Sequence, residues 1–277
     1  MSIAPDPPRR RNDPRRELLK RAHREFTTAM TALHESLDAK RIHKARVATR
    51  RLRATLKAMH KEMQPTRYAE LQFPLRRIGR ILTPLREADV RQQILRSLLH
   101  ETPVSRQRRE LVERLHQFRR QAAQDLRKQL RHSSLRLDLS KIEAGIADPR
   151  LLPQSTRTKT ASYLERSLVA TLHRTRRKLQ SNSCSAKHLH KTRIAVKNAR
   201  YFLQALSASN DKHEKRRIAQ LCELQDVLGD IHDRSMLIAW LSVAQISPTL
   251  RTTLIEGITK DREEYLRRYR HLRKQSQ

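Results

Sequence analysis

Histidine, arginine and lysine recur in one order at two places in the chain. Residues 43–59 read HKARVATRRLRATLKAM and residues 190–206 read HKTRIAVKNARYFLQAL. At one constant spacing His43 aligns with His190, Lys44 with Lys191, Arg46 with Arg193, Arg50 with Lys197 and Arg53 with Arg200. A guanidinium is a planar, permanently charged fork that can engage two anionic oxygens at once. An ammonium is a point charge, and an imidazole is a donor when neutral and a cation when protonated. The chemistry these groups share is the holding of oxyanions, and His43 and His190 would add charge as pH falls. A helix turns by ~100° per residue, so His43, Arg46, Arg50, Arg53 and Lys57 fall within an arc of ~80°. Ala45, Ala48, Leu52, Leu56 and Met59 lie opposite. His190, Arg193, Lys197 and Arg200 stand in the same way against Ala195, Ala199, Phe202, Leu203 and Leu206. A charge run is ordinarily a solvated face. Here the cations keep to one side of the helix and recur in register, while residues between them change, Thr49 against Val196 and Arg51 against Asn198. The pattern predicts a site for an extended polyanion.

A second pair of segments repeats at nearly the same spacing, LTPLREADV at 82–90 and LGDIHDRSM at 228–236. Arg86–Glu87 matches His232–Asp233. The acid could hold a cation of the neighbouring helix in place, or could simply favour a helix start through the macrodipole. His232–Asp233 is the kind of pair found in metal phosphohydrolases, but no set of partner ligands accompanies it. No H-E-x-x-H occurs, and no Cys stands at ligand spacing to a His. The chain also has no Walker A loop, no Rossmann glycine pattern and no nucleophile elbow. The sequence therefore predicts neither a metal, nor a cofactor, nor catalytic residues, and the chain reads as a non-enzyme.

The elements that must carry these faces are helices. Four glycines and 4% aromatics in 277 residues argue against a sheet-rich fold. Leu, Ala, Arg, Glu, Gln and Lys, all good helix formers, dominate. Residues 1–14, with four prolines beside Arg9 to Arg11, read as a disordered basic tail. Apolar periodicity predicts helices near 15–38, 40–63, 66–100 and 105–131, the third bent or interrupted around Thr83–Pro84. Residues 132–157, with Ser133, Ser134, Gly145, Pro149 and Pro153, read as a connector holding a short apolar piece at Leu135–Ile146. Helices near 158–181, 187–208, 211–244 and 248–274 follow. The predicted fold is all-α: a first helical half at 15–131 and a second at 158–277, forming two pseudo-symmetric four-helix bundles side by side from an internal duplication.

The formal net charge is +33, with 61 Lys and Arg against 28 Asp and Glu. Such a charge repels itself and draws polyanions, leaving nucleic acid, polyphosphate and anionic membrane open as partners. Cys184 and Cys222 form no C-x-x-C pair, which fits free thiols in a reducing compartment. The N-terminus lacks the apolar core of a secretory signal, and the apolar run Met236–Ile246 is too short to span a bilayer. The sequence thus reads as soluble and cytoplasmic, with no membrane insertion.

The two H-x-x-R-[VI]-x-x-[RK]-x-x-R helices, from His43 to Arg53 and from His190 to Arg200, resemble the hallmark of the CHAD family, the conserved histidine α-helical domain. Leu228-Gly229-Asp230-Ile231-His232-Asp233 is similar to the family's L-G-x-x-[RH]-D segment. In the first half Thr83 stands where Gly is usual and Glu87 where Asp is usual. The resemblance covers nearly the whole chain beyond residue 14. It implies two pseudo-symmetric helical bundles that bind inorganic polyphosphate along a basic groove or pore and associate with polyphosphate granules. Nothing in the chain resembles the acidic E-x-E-x-K start of the triphosphatase domain carried by many relatives, so the resemblance is to a stand-alone binding module.

The expected ligand residues are His43, Arg46, Arg50, Arg53 and Lys57 with His190, Arg193, Lys197 and Arg200. The alternative is nucleic-acid binding through backbone phosphates, weakened by the scarcity of aromatic stacking residues and the absence of a recognition-helix motif. Hydrolysis of polyphosphate would need clustered acids around a metal, and the acids are dispersed.

Overall fold

The computed structural model describes residues 13–100, 105–152, 157–206 and 212–275. Among them run ten α-helices and two short 3-10 turns, with no strand. Most of the expected tail lies outside the described residues. Its last two residues start the first helix, α1 (Pro14–Glu35). The Asp13 carboxylate accepts from the Arg15 amide at 2.9 Å, and Pro14, which has no N–H to satisfy, takes the first helical position. Leu19, Ala22, Phe26, Met30 and Leu33 then form its buried stripe. Asp38 caps α2 (Ala39–Met59) in the same way, accepting from the Arg41 amide at 2.8 Å. The buried face of α2 is Ile42, Ala45, Ala48, Thr49, Leu52, Thr55, Leu56 and Met59, opposite the cations.

The Thr83–Pro84 interruption separates α3 (Pro65–Ile81) from α4 (Thr83–His100). The second half carries Gly229 and Asp230 at the equivalent place, and there one uninterrupted helix runs the full length. Proline removes a ladder donor and clashes with the preceding turn, whereas Asp does neither. After α5 (Arg106–Arg131), the expected connector carries a helix, α6 (Ser133–Ala147). It buries Leu135, Ile142 and Ile146 and lies against α3. A methyl group at Gly145 would come within 2.8 Å of Leu71 Cδ2, so the missing side chain allows this close approach. Arg77 of α3 pairs with Asp138 and donates to the Ser134 carbonyl, fixing α6 in place. Serines and the glycine masked this helix in the sequence.

The second half comprises α7 (Arg157–Gln180), α8 (Ala186–Leu206), α9 (Lys212–Val243) and α10 (Pro248–Gln275). The hairpins α1–α2 and α7–α8 lie beside each other, with α2 against α8 and α1 against α7. One apolar core lies mainly in the first half but also takes in Leu164 of α7 and Phe202 of α8, and a second lies within the second half. A third core joins the halves at their far ends, where Leu95 and Leu99 of α4 and Leu111 and Leu115 of α5 meet Leu237 and Leu241 of α9 and Leu250, Leu254 and Ile258 of α10. Truncating one such leucine to alanine typically costs about 2–5 kcal/mol.

The scarce acids hold this scaffold together. Arg15, only 1% exposed at its side chain, is clasped by Asp13 at 2.7 Å and Glu62 at 2.5 Å, tying the start of α1 to the turn after α2. Arg51 pairs with Glu25, and Arg67 with Asp148. Arg119 of α5 meets the buried Asp89 of α4 at 2.8 Å and donates to the Leu37 carbonyl at 3.0 Å.

Candidate functional site: a cationic seam between the repeats

The contact between α2 and α8 brings the duplicated faces together. Arg46, Arg50 and Arg53 lie close enough to Arg193 and Lys197 to act on their charges. These five and Arg200 are half-buried, while His43, His190 and Lys57 are exposed. Eight of the nine expected residues belong to this seam. Lys57 stands at the end of the α2 ridge and lines a separate cavity toward α7.

The helices flanking the seam position its cations. Thr83 starts α4 at the helix break. Its hydroxyl donates to the Gly79 carbonyl at 2.7 Å and accepts from Arg46 Nη1 at 2.6 Å. Arg46 also reaches the Gly79 carbonyl at 3.3 Å, one of the last-turn acceptors that a helix end leaves available. Arg53 Nε donates to Gln72 Oε1 at 3.4 Å, and Gln72 returns a bond to the Arg53 carbonyl at 3.2 Å. In the second half the Arg200 guanidinium lies 4.6 Å from the Tyr201 ring centroid and donates to Cys222 Sγ at 3.5 Å.

The second repeated segment closes both ends of the seam. Arg86 acts on His43, and His232 stacks obliquely on His190 with ring centroids 5.7 Å apart. Glu87 pulls on the charge of Arg46, and Asp233 on that of Arg193. Each acid thus faces the ridge arginine of its own half, without forming an ion pair to it. Glu87 instead pairs with Arg91 at 3.3 Å.

None of the nine expected residues has a carboxylate within salt-bridge distance among the described residues. Arg50, Arg193 and Lys197 have no hydrogen-bond partner there either. The electrostatic consequence is strong. Burial, then Arg50, Arg193, Arg53 and Arg46, push the Lys197 ammonium down to about 7. Burial and Arg50 push Arg46 down to about 10. Burial followed by Arg86, Arg50 and Arg46 holds His43 below the usual imidazole range, and burial followed by Arg193 does the same to His232. Burial depresses these groups first, and the neighbouring cations add to it more than Glu87, Asp233 and Asp226 offset, so the seam keeps a positive potential. The arrangement can bind several linked anionic groups at once.

The positions of Gln72, Arg76 and Cys222 carry no motif, and sequence reasoning passed them over. Arg76 repels Arg53, whereas Cys222 accepts a hydrogen bond from Arg200, although the two stand at the same repeat spacing as Thr83 and Gly229. Extending the second repeat backward pairs Arg76 with Cys222 and Gln72 with Ile218, unlike residues that give no signal in the sequence. Among the described residues no three or more His, Cys, Asp or Glu side chains are grouped to hold a metal ion, and no helix is long and apolar enough to cross a membrane.

No curated protein sequence matches the chain. Its fold is similar to that of PptA from Streptomyces chartreusis, with a TM-score of 0.73 at 16% identity over 95% of this chain and 98% of that one. It is also similar to the CHAD domain from the plant Ricinus communis, with a TM-score of 0.69 at 20% identity over 91% of this chain and 84% of that one. The CHAD domain family matches residues 16–242, which include both cationic helices and the second repeated segment, and the chain belongs to that family.

Proposed function

We propose that the protein binds inorganic polyphosphate along the α2–α8 seam and performs no chemistry on it. The observation that carries this reading is the convergence of half-buried cations from both repeats with no carboxylate partner, in a protein whose other buried or half-buried arginines are largely paired. Successive ridge cations stand about one helical turn apart, ~5.4 Å, which suits a flexible chain of closely spaced charges rather than one small anion. Charge-assisted hydrogen bonds and counterion release would supply the affinity. The family resemblance supports the same ligand, and with it a place at polyphosphate granules in the cytoplasm.

Nucleic acid is the weaker reading. A single-strand platform needs exposed aromatic faces, and Tyr201, the aromatic beside Arg200, is buried. Competition measured by fluorescence anisotropy, with long polyphosphate, triphosphate, duplex DNA and RNA at matched physiological salt, tests the assignment. Polyphosphate should win at equal phosphate concentration. Equal or better retention of RNA would overturn it. Incubation with polyphosphate and magnesium or manganese should release no phosphate. A sustained release abolished by chelator would make the protein a hydrolase.

A further inference from the structure

α8 has a second flank. Lys191, Ile194 and Asn198 point away from Arg193, Lys197 and Arg200, and with α7 and the C-terminal end of α2 they line a cavity of about 870 Å³. The space exists because four alanines face it, Ala54 and Ala58 from α2, Ala170 from α7 and Ala195 from α8. Its walls are tied together. The Tyr163 hydroxyl donates to the Ala58 carbonyl at 3.2 Å, and the Thr175 hydroxyl to the Ala195 carbonyl at 3.3 Å. Such a volume lies within the ~300–1,000 Å³ of ordinary ligand sites.

Its lining is one-signed. Lys57, Lys61, Arg174, Arg177, Lys178 and Lys191 all contribute, and no Asp or Glu does. None of these six has a carboxylate in salt-bridge range among the described residues. A solvated helix face would explain charge on α7 alone. It does not explain cations from three helices around a fixed space without an acid, an arrangement that costs self-repulsion in the free protein. The cations stand on opposite walls and about a helical turn apart along α7, Arg174 from Lys178, so a single small anion cannot engage them all.

We propose that this cavity is a second anion site, separate from the α2–α8 seam, that takes a short chain of linked phosphates, either free or as the phosphate tail of a nucleotide. The site stands on its own cations and does not rest on the reading of the seam. Phosphate oxygens would meet the two cationic walls, and the alanine floor would tolerate a ligand body without demanding hydrogen bonds from it.

Isothermal titration with tripolyphosphate tests the proposal on four folded proteins, verified by circular dichroism. These are the wild type, a seam variant (Arg50→Gln, Arg193→Gln, Lys197→Gln), a cavity variant (Arg174→Gln, Arg177→Gln, Lys178→Gln) and their combination. The three α7 side chains are exposed, so the helix should survive their change. The seam variant should keep one binding event, and adding the cavity changes should weaken that event by about tenfold or more. Lys61→Gln with Lys191→Gln, from the other walls, should act in the same direction. A seam variant with no residual binding would overturn the cavity site while leaving the seam intact. A seam variant with undiminished total binding would overturn the seam and leave the cavity. In the seam background, competition between ATP and tripolyphosphate would identify a nucleotide tail, and binding of tripolyphosphate alone would identify the free chain. Equal competition by sulfate at matched charge would overturn the proposal, because the cavity would then be a general anion surface.

Discussion

Arg50 of α2 and Lys197 of α8 occupy equivalent positions in the two repeats and confront each other where the helices cross, and after burial Arg50 is the neighbour that most depresses the Lys197 ammonium. With its pKa at about 7, Lys197 is partly neutral in the free protein at physiological pH. A polyanion laid along the seam reverses the local potential and raises that pKa. Binding should therefore take up protons between about pH 7 and the higher pKa of the complex. Affinity should rise as pH falls through that window and level off below it. Titration calorimetry in buffers of different ionisation heat measures the uptake directly. Lys197→Met should remove most of it, and an unchanged uptake in that variant would exclude Lys197 as its source.

The same group sets a sign on folding stability. Its folded pKa lies below its ordinary value of 10.5, so between about pH 7 and that value the unfolded chain binds more protons than the folded one. This contribution stabilises the fold as pH rises through the window. The ligand-free protein should melt higher at pH 9 than at pH 7, and Lys197→Met should shrink the difference.

Helical spacing was enough to find the cationic faces, because a one-sided charge pattern with period 3.6 needs no tertiary information. The helix break at Thr83–Pro84 was readable for the same local reason. Spacing could not show that the faces meet, since the α2–α8 contact depends on how two hairpins pack. It also pointed to His43 and His190 as the pH-sensitive pair. Burial and four neighbouring arginines bring Lys197 down to about 7, and three of those arginines, Arg46, Arg50 and Arg53, act on it from α2 rather than from its own helix. The helix in the connector, α6, was obscured because its serines and Gly145 look like breakers until Leu71 is seen beside Gly145.

Thr83 departs from the family's usual glycine, and the structure gives that departure a task. Its hydroxyl anchors Arg46 at 2.6 Å, whereas the matching Gly229 offers Arg193 no side chain. Thr83→Val keeps the shape and removes the bond. It should cost about 0.5–1.5 kcal/mol of stability and weaken polyphosphate binding a few-fold by freeing the guanidinium. Gly229→Ala should do the opposite to the fold. A methyl group there meets nothing within 4 Å, and an interior helical alanine is favoured over glycine by about 0.5–1 kcal/mol. Urea denaturation of both variants checks the two signs.

Arg119 connects three elements, bonding Asp89 of α4 and the Leu37 carbonyl before α2 from its place on α5. The Asp89 side chain is 3% exposed, and burial raises its pKa despite the arginine. Arg119→Gln would leave a buried carboxylate without its cation, a change that costs about 3 kcal/mol or more in comparable sites. Asp89→Asn together with Arg119→Gln should recover part of that loss, since the uncompensated charge is gone. A double-mutant cycle from denaturant melts measures the coupling.

The seam as a whole is tested by removing its charges. Arg46, Arg50 and Arg53 changed to Gln should weaken polyphosphate binding strongly, and Arg193, Lys197 and Arg200 changed to Gln should do likewise. The core residues Leu52, Leu56, Phe202 and Leu203 lie on other faces of the same helices and are buried, so the fold should survive. Burial first, and then the field of Arg50, depress Lys197, Arg46 and Arg193, so the ligand-free seam is under repulsion between like charges. Relieving it should raise the melting temperature of each triple variant at low salt, by an amount that shrinks as salt screens the cations. Because the two faces share one seam, a long chain contacts both, and the affinity losses of the two variants should not add. Melting curves and polyphosphate affinities for the wild type, each triple variant and the combination supply the comparison. If the folded combined variant kept wild-type affinity, the seam would be a solvated surface and the ligand would have to sit elsewhere.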